Sequence, residues 1–170
     1  MDTRAVTCCF TGHRQIPRAD YPAVRARLTY AVCDLYEKGY RRFVAGGAIG
    51  FDALAAEIVL AFRRHYPDIS LILMLPCADQ DAKWSKEEKA VYQKQKNEAN
   101  EVILLAERYF DGCMQKRNAA MVDASSACIA YLTRPRSGAG QTVRMAEKAG
   151  LQVIHIAQTE AFPKQKELSH

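Results

Sequence analysis

The chain has 170 residues, 49% hydrophobic and 25% charged, a balance that fits a soluble globular domain and excludes the disordered class except at the tail. Its net charge of +5 permits an anionic ligand, but Lys and Arg are spread out, with modest clusters at Arg41–Arg42 and Arg63–Arg64. A nucleic-acid face concentrates such residues, so nucleic acid is not expected among the partners.

The six cysteines (Cys8, Cys9, Cys33, Cys77, Cys113 and Cys128) form no CxxC pair and none stands at metal-ligand spacing from a histidine. Several lie inside apolar runs, where a free thiol behaves as a small hydrophobe. That usage suits a reducing compartment, and the first apolar stretch is too short for a leader core or a membrane span. The expectation is a cytoplasmic protein with no membrane partner and no metal. Asp79 and Asp81 form an acidic pair without companion ligands.

In chain order, Ala5–Phe10 is a short apolar run read as a buried strand, ending at Thr11-Gly12. Apolar residues at helical spacing from Tyr21 to Lys38 predict a helix, with Gly39 as its C-cap. Arg42–Ala45 is a second strand, which enters Gly46-Gly47-Ala48-Ile49-Gly50 and then a helix over Phe51–His65. Ser70–Leu75 is a third strand, followed by a polar helix over Lys83–Asn97 and a fourth strand at Glu101–Leu105. A helix at Met114–Ala124, a strand at Ala127–Leu132, a helix at Gln141–Ala149 and a strand at Gln152–Ala157 complete the series. Residues 159–170 read as a polar tail beyond a single domain over 1–158.

Strands and helices alternate throughout, and the strands are nearly continuous apolar runs. The prediction is an α/β, Rossmann-like, doubly wound and mostly parallel sheet of about six strands with helices on both faces. In such sheets ligands bind beyond the carboxyl ends of the strands.

Three segments at those ends carry glycine and small polar residues: Thr11-Gly12-His13-Arg14, Gly46 to Gly50, and Ser137 to Thr142. All three lie on one edge of the predicted sheet. Glycine lets backbone approach a ligand, and helix N-termini offer N–H groups to anions. The candidate binding residues are therefore Thr11, Gly12, His13, Arg14, Gly46, Gly47, Ala48, Gly50, Asp52, Arg117, Asn118, Gly138, Gly140, Gln141 and Thr142. The ligand expected is a phosphate-bearing nucleotide, with no other cofactor firmly implied.

Several roles stay open from sequence. Asp52 either binds a ribose hydroxyl or caps the helix that follows the glycines. Glu57 faces solvent or the site. Trp84, the single tryptophan, either stacks on a base or covers the core. His65 and His155 read as structural. No G-x-S-x-G elbow and no HExxH occurs.

Taken together, Phe10-Thr-Gly-His-Arg14, Gly46-Gly-Ala-Ile-Gly-Phe-Asp52, Pro76 with Gln80 and Trp84, Arg117 to Asp123, and Gln141-Thr-Val143 with Ala146 resemble the YpsA-like branch of the SLOG superfamily. The resemblance runs from about Val6 to Ile156. It implies a Rossmannoid domain related to the cytokinin-activating phosphoribohydrolases and to the DNA-processing protein DprA. It also implies a pocket for ADP-ribose, NAD or a nucleoside monophosphate, and a homodimer.

The phosphoribohydrolases carry an Arg followed four residues later by Met, which Arg117 and Met121 match. Their PGG-x-GT-x-x-E loop corresponds to Arg136–Met145, where glycine and threonine remain but no glutamate falls at the catalytic place, Glu147 being too late. Binding or sensing is thus favoured over hydrolysis of an N-glycosidic bond. For that hydrolysis the candidate groups are Arg117 with Asp52, Glu57 or Asp123. Single-stranded DNA binding, as in DprA, is the third reading.

Overall fold

The computed structural model describes residues 2–157, so the expected tail at 159–170 lies outside the described residues. A short 3-10 turn at Arg4–Val6 leads into β1 (Thr7–Gly12), α1 (Tyr21–Glu37), β2 (Arg42–Ala45), α2 (Phe51–His65) and β3 (Ser70–Leu75). Then follow α3 (Lys86–Glu98), β4 (Glu101–Leu104), α4 (Cys113–Asp123), β5 (Ala127–Tyr131), α5 (Gly138–Lys148) and β6 (Gln152–His155).

The six strands form one sheet in the order β4-β3-β2-β1-β5-β6, and every pairing is parallel. The pleat sends alternate residues to opposite faces. Phe10, Phe43, Leu71, Leu73 and Ile129 pack in one cluster with Leu28, Leu35, Leu54 and Ile58 of α1 and α2, and with Tyr92 of α3. Their strand neighbours Cys9, Val44, Ile72 and Cys128 pack on the other face with Met121 and Val122 of α4 and Ala146 of α5.

This division follows from crossover handedness. From β1 to β4 the chain steps one way across the sheet, and right-handed connections place α1, α2 and α3 on one face. After β4 it returns to the far side of β1, and the same handedness puts α4 and α5 on the other face. Strand order therefore reverses between β1 and β5, which opens a crevice above their carboxyl ends.

Several boundaries differ from the sequence reading. The first strand begins at Thr7, not Ala5, because residues 4–6 close a 3-10 turn. Thr11 and Gly12 belong to that strand, paired with Ala130 and Tyr131. The polar helix begins at Lys86 instead of Lys83, because Ser85 and Glu88 form a reciprocal capping box there. The fifth helix begins at Gly138, three residues earlier than its apolar period indicates. Ser137 caps it by accepting from the Gly140 N–H at 3.0 Å. Gly138 and Gly140 are thus in a first helical turn, not in a loop. Glycine weakens a helix by about 1 kcal/mol relative to alanine. At position 140 it is required all the same, because a Cβ there would stand 1.9 Å from the Pro135 carbonyl oxygen.

Candidate functional site

Three connections meet above the carboxyl ends of β1, β2 and β5. The β1 end supplies His13, which is buried. Its Nε2 accepts from the backbone N–H of Thr133 at 2.9 Å and of Arg134 at 3.3 Å. A ring nitrogen that accepts carries no proton, so Nε2 is bare, and Nδ1 stands 3.3 Å from the Arg134 guanidinium. Burial, and then the nearby Arg134 guanidinium, push the His13 pKa down, which keeps the ring in the uncharged form these bonds need. His13 therefore clamps the β1–α1 connection to the β5–α5 connection. Its carbonyl accepts from the Phe51 N–H at 3.1 Å and ties in the start of α2 as well.

The β2–α2 loop is held from within and from behind. The Asp52 carboxylate accepts from the Ala48 N–H at 3.2 Å. This decides between the two roles open for Asp52 in part: it secures the loop before the helix, while Gly50 occupies the N-cap position without a side-chain bond. Burial raises the Asp52 carboxyl above its ordinary value, and Arg117 and the Ala48 N–H pull it back down.

Arg117 comes from α4, on the opposite face of the sheet, and is buried. It donates through a guanidinium N–H to the Gly46 carbonyl, and its Nε donates to Asn118 Oδ1 at 2.8 Å. Burial lowers its pKa and Asp52 opposes that, yet an arginine stays charged near neutrality. Arg117 and Asp52 so form a buried, charge-balanced floor beneath the glycine loop.

A cleft of about 300 Å³ lies over this floor. Of the residues predicted from sequence, Thr11, Gly12, His13, Arg14, Ala48, Asp52, Arg117, Asn118 and Gly138 line it. Arg14 is exposed and its guanidinium makes no hydrogen bond or ion pair among the described residues. Gly138 and Ala139 present the first turn of α5, whose N–H groups carry the positive end of the helix dipole.

The remaining candidates are placed elsewhere. Gly46 sits behind Arg117, and Gly47 and Gly50 line a neighbouring recess with Trp84. Gly140 packs on Pro135, Gln141 is exposed, and the Thr142 hydroxyl donates to the Gly138 carbonyl within its own helix. Two of the candidate acids are corrected. Glu57 lies on the outer side of α2 in an exposed ion pair with Arg25, because its position on the helix turns it away from the sheet edge. Asp123 is at the C-terminal end of α4, beside Met145 and Lys148, at the opposite end of that helix from the cleft. Asp79 accepts from the Tyr109 N–H at 3.0 Å, so its carboxylate orders a loop.

Sequence reasoning missed Arg134 and Ala139, which line the cleft, and Ser137 as a cap. A serine three residues ahead of a residue that can follow an N-cap is a readable signal, but the three small residues after it mask the helix period. Arg134 carries no motif of its own. Among the described residues no helix is long and apolar enough to cross a membrane.

The profile of the YspA SLOG family matches residues 9–155. The chain is 32% identical over 122 residues to the SPbeta prophage-derived protein YoqJ of Bacillus subtilis (strain 168), covering 65% of this chain and 71% of the relative. It is 26% identical over 131 residues to a UPF0398 protein of Bacillus thuringiensis (strain Al Hakam), covering 75% of this chain and 69% of that protein. Among solved structures, DNA processing protein A from Helicobacter pylori superposes with a TM-score of 0.64 at 20% identity. The overlap takes in 89% of this chain and 65% of that one, so the chain spans somewhat less than two thirds of that protein.

That neighbour was solved for its single-stranded DNA binding mode. It corrects the expectation that nucleic acid is not among the partners: a protein that shares this fold binds single-stranded DNA, so scattered basic residues do not by themselves set nucleic acid aside. The match over most of its length, together with a parallel sheet whose glycine loops converge at the reversal of strand order, places this chain in the YspA SLOG family.

Proposed function

We propose that the chain binds a phosphate-bearing nucleotide in the cleft above β1 and β5, with the phosphate at the first turn of α5. The observation that carries this reading is the meeting of that helix turn with Arg14 and Arg134 at the point where strand order reverses. Arg117 is committed to the Gly46 carbonyl and shapes the loop, whereas Arg14 is free to form a fork with phosphate oxygens. The candidate ligands are ADP-ribose, NAD and nucleoside monophosphates.

Binding is favoured over hydrolysis of an N-glycosidic bond. Of the candidate acids only Asp52 reaches the cleft, and its carboxylate already holds the Ala48 N–H beside Arg117. A nucleotide unit within single-stranded DNA is the second reading, favoured by the fold of the Helicobacter pylori protein.

Calorimetric titration with AMP, ADP-ribose, NAD and a short single-stranded oligonucleotide tests the proposal. At least one mononucleotide is expected to bind, and Arg14→Ala to weaken it about 10- to 100-fold through loss of charge-assisted hydrogen bonds. Thermal stability of that variant should stay at the wild-type value, since Arg14 is exposed. Absence of binding at millimolar concentrations, or an unchanged Kd in Arg14→Ala, counts against the proposal. Binding of the oligonucleotide alone moves the assignment to single-stranded DNA.

A further inference from the structure

Next to the phosphate cleft lies a second recess of about 250 Å³, between the β2–α2 loop and helix α3. The two share Arg14 and Ala48 as lining residues. Their chemistry differs. The first cleft gathers Arg14, Arg117 and Arg134 with a helix N-terminus. The second is walled by Trp84, Tyr92, Val91 and Ile49, and its only acids are Glu87 and Glu88.

We propose that this recess holds the base of the nucleotide whose phosphate occupies the first cleft, and that it selects bases bearing an exocyclic amino group. The inference rests on the phosphate reading above. A ligand that spans both clefts must be anionic at one end and flat, apolar and hydrogen-bond donating at the other, which describes a nucleoside monophosphate with an amino-bearing base.

The recess is built for an aromatic ring. Tyr92 is buried, its hydroxyl accepts from Gln80 Nε2 at 3.3 Å, and Lys96 Nζ stands 4.3 Å from its ring centroid. Trp84 meets it edge to face, with centroids 5.0 Å apart, so the indole orientation is set by a fixed neighbour. Val91 is 47% exposed on the same wall and would lose that exposure under a bound ring.

Selection falls to Glu87. Glu88 spends its carboxylate on the Ser85 N–H at 2.8 Å in the helix cap. Glu87 makes no hydrogen bond or ion pair among the described residues and stands at the rim of the recess. A carboxylate accepts from the exocyclic amino group of adenine, whereas uracil places the O4 carbonyl at that position and sets acceptor against acceptor. Adenine is therefore preferred over uracil.

Trp84 is the single tryptophan, so its emission reports on this recess alone. AMP, UMP and ribose 5-phosphate are titrated into the wild type with calorimetry and tryptophan fluorescence in parallel. AMP is expected to quench the emission and to bind about tenfold tighter than ribose 5-phosphate, the gain expected from base stacking. Ribose 5-phosphate should bind by calorimetry with the emission unchanged. Glu87→Gln should narrow the preference of AMP over UMP, since its amide can also donate to a ring carbonyl, and Trp84→Phe should bring AMP toward ribose 5-phosphate.

If AMP and ribose 5-phosphate bind equally and the emission does not respond, the base recess is refuted while the phosphate site stands. If the ratio of AMP to UMP affinity is the same in wild type and Glu87→Gln, the selection by Glu87 is overturned. If none of the three binds, the phosphate reading fails and this inference with it.

Discussion

Gly50→Ala is expected to lower stability by about 3 kcal/mol, the cost of a strained backbone together with a steric overlap. Gly50 precedes α2 with φ 76° and ψ −122°, a region open in practice only to glycine. A Cβ on it would stand 2.1 Å from the Arg14 carbonyl oxygen, so alanine must displace backbone, not a flexible side chain. That contact is where the β1–α1 and β2–α2 connections touch, and displacing it also strains the Phe51 N–H bond to the His13 carbonyl. Urea unfolding should show a lower midpoint with an unchanged slope. Gly138→Ala provides the contrast. Its added Cβ meets nothing within 4 Å, and stability should move by less than about 1 kcal/mol.

The second large effect is expected from Asp52→Ala, at about 3 kcal/mol. The variant leaves Arg117 buried without its neighbouring carboxylate and deprives the Ala48 N–H of its acceptor. Arg117→Met removes the opposing charge while filling much of the same volume. The double variant Asp52→Ala/Arg117→Met should then be more stable than the sum of the two single losses, by at least about 1 kcal/mol.

The pair also has a pH signature. Burial raises the Asp52 carboxyl in the folded protein above the ordinary value of 3.8, so the folded state binds that proton more tightly than the unfolded chain does. The stabilisation from this proton is complete below the unfolded value and is lost as pH rises through the folded one. The stability of the wild type relative to Asp52→Asn should therefore fall as pH increases from about 4 upward, as read from unfolding midpoints across that range. In Arg117→Met the fall should extend to higher pH, because the cation that restrains the shift is gone.

Much of this fold is legible in the sequence because the strands are continuous apolar runs and the helices carry a clear period. Strand and helix alternate without interruption, and parallel sheets leave few other arrangements. The helix starts were less legible. Ser137 begins α5 within a run of small residues, so the apolar period first shows at Gln141 although the hydrogen bonds begin at Gly138.

The candidate site was half legible for the same reason. Thr11 and Gly12 end β1 and His13 and Arg14 follow it, and residues there fall on the edge of the sheet where the crevice opens. Glu57 and Asp123 depend on which way a helix faces and how far along it they stand, and both were placed outside the cleft by that geometry. Arg134 was hidden because its role comes from the reversal of strand order, which sets β5 beside β1 across more than a hundred residues of chain.

The central claim is that phosphate binds at the first turn of α5. A crystal structure grown with saturating AMP tests it most directly. Phosphate density is expected within about 3 Å of the Gly138 and Ala139 N–H groups, with the Arg14 guanidinium turned onto it. Density for the phosphate at another edge of the sheet, with the α5 turn left bare at saturation, would contradict it.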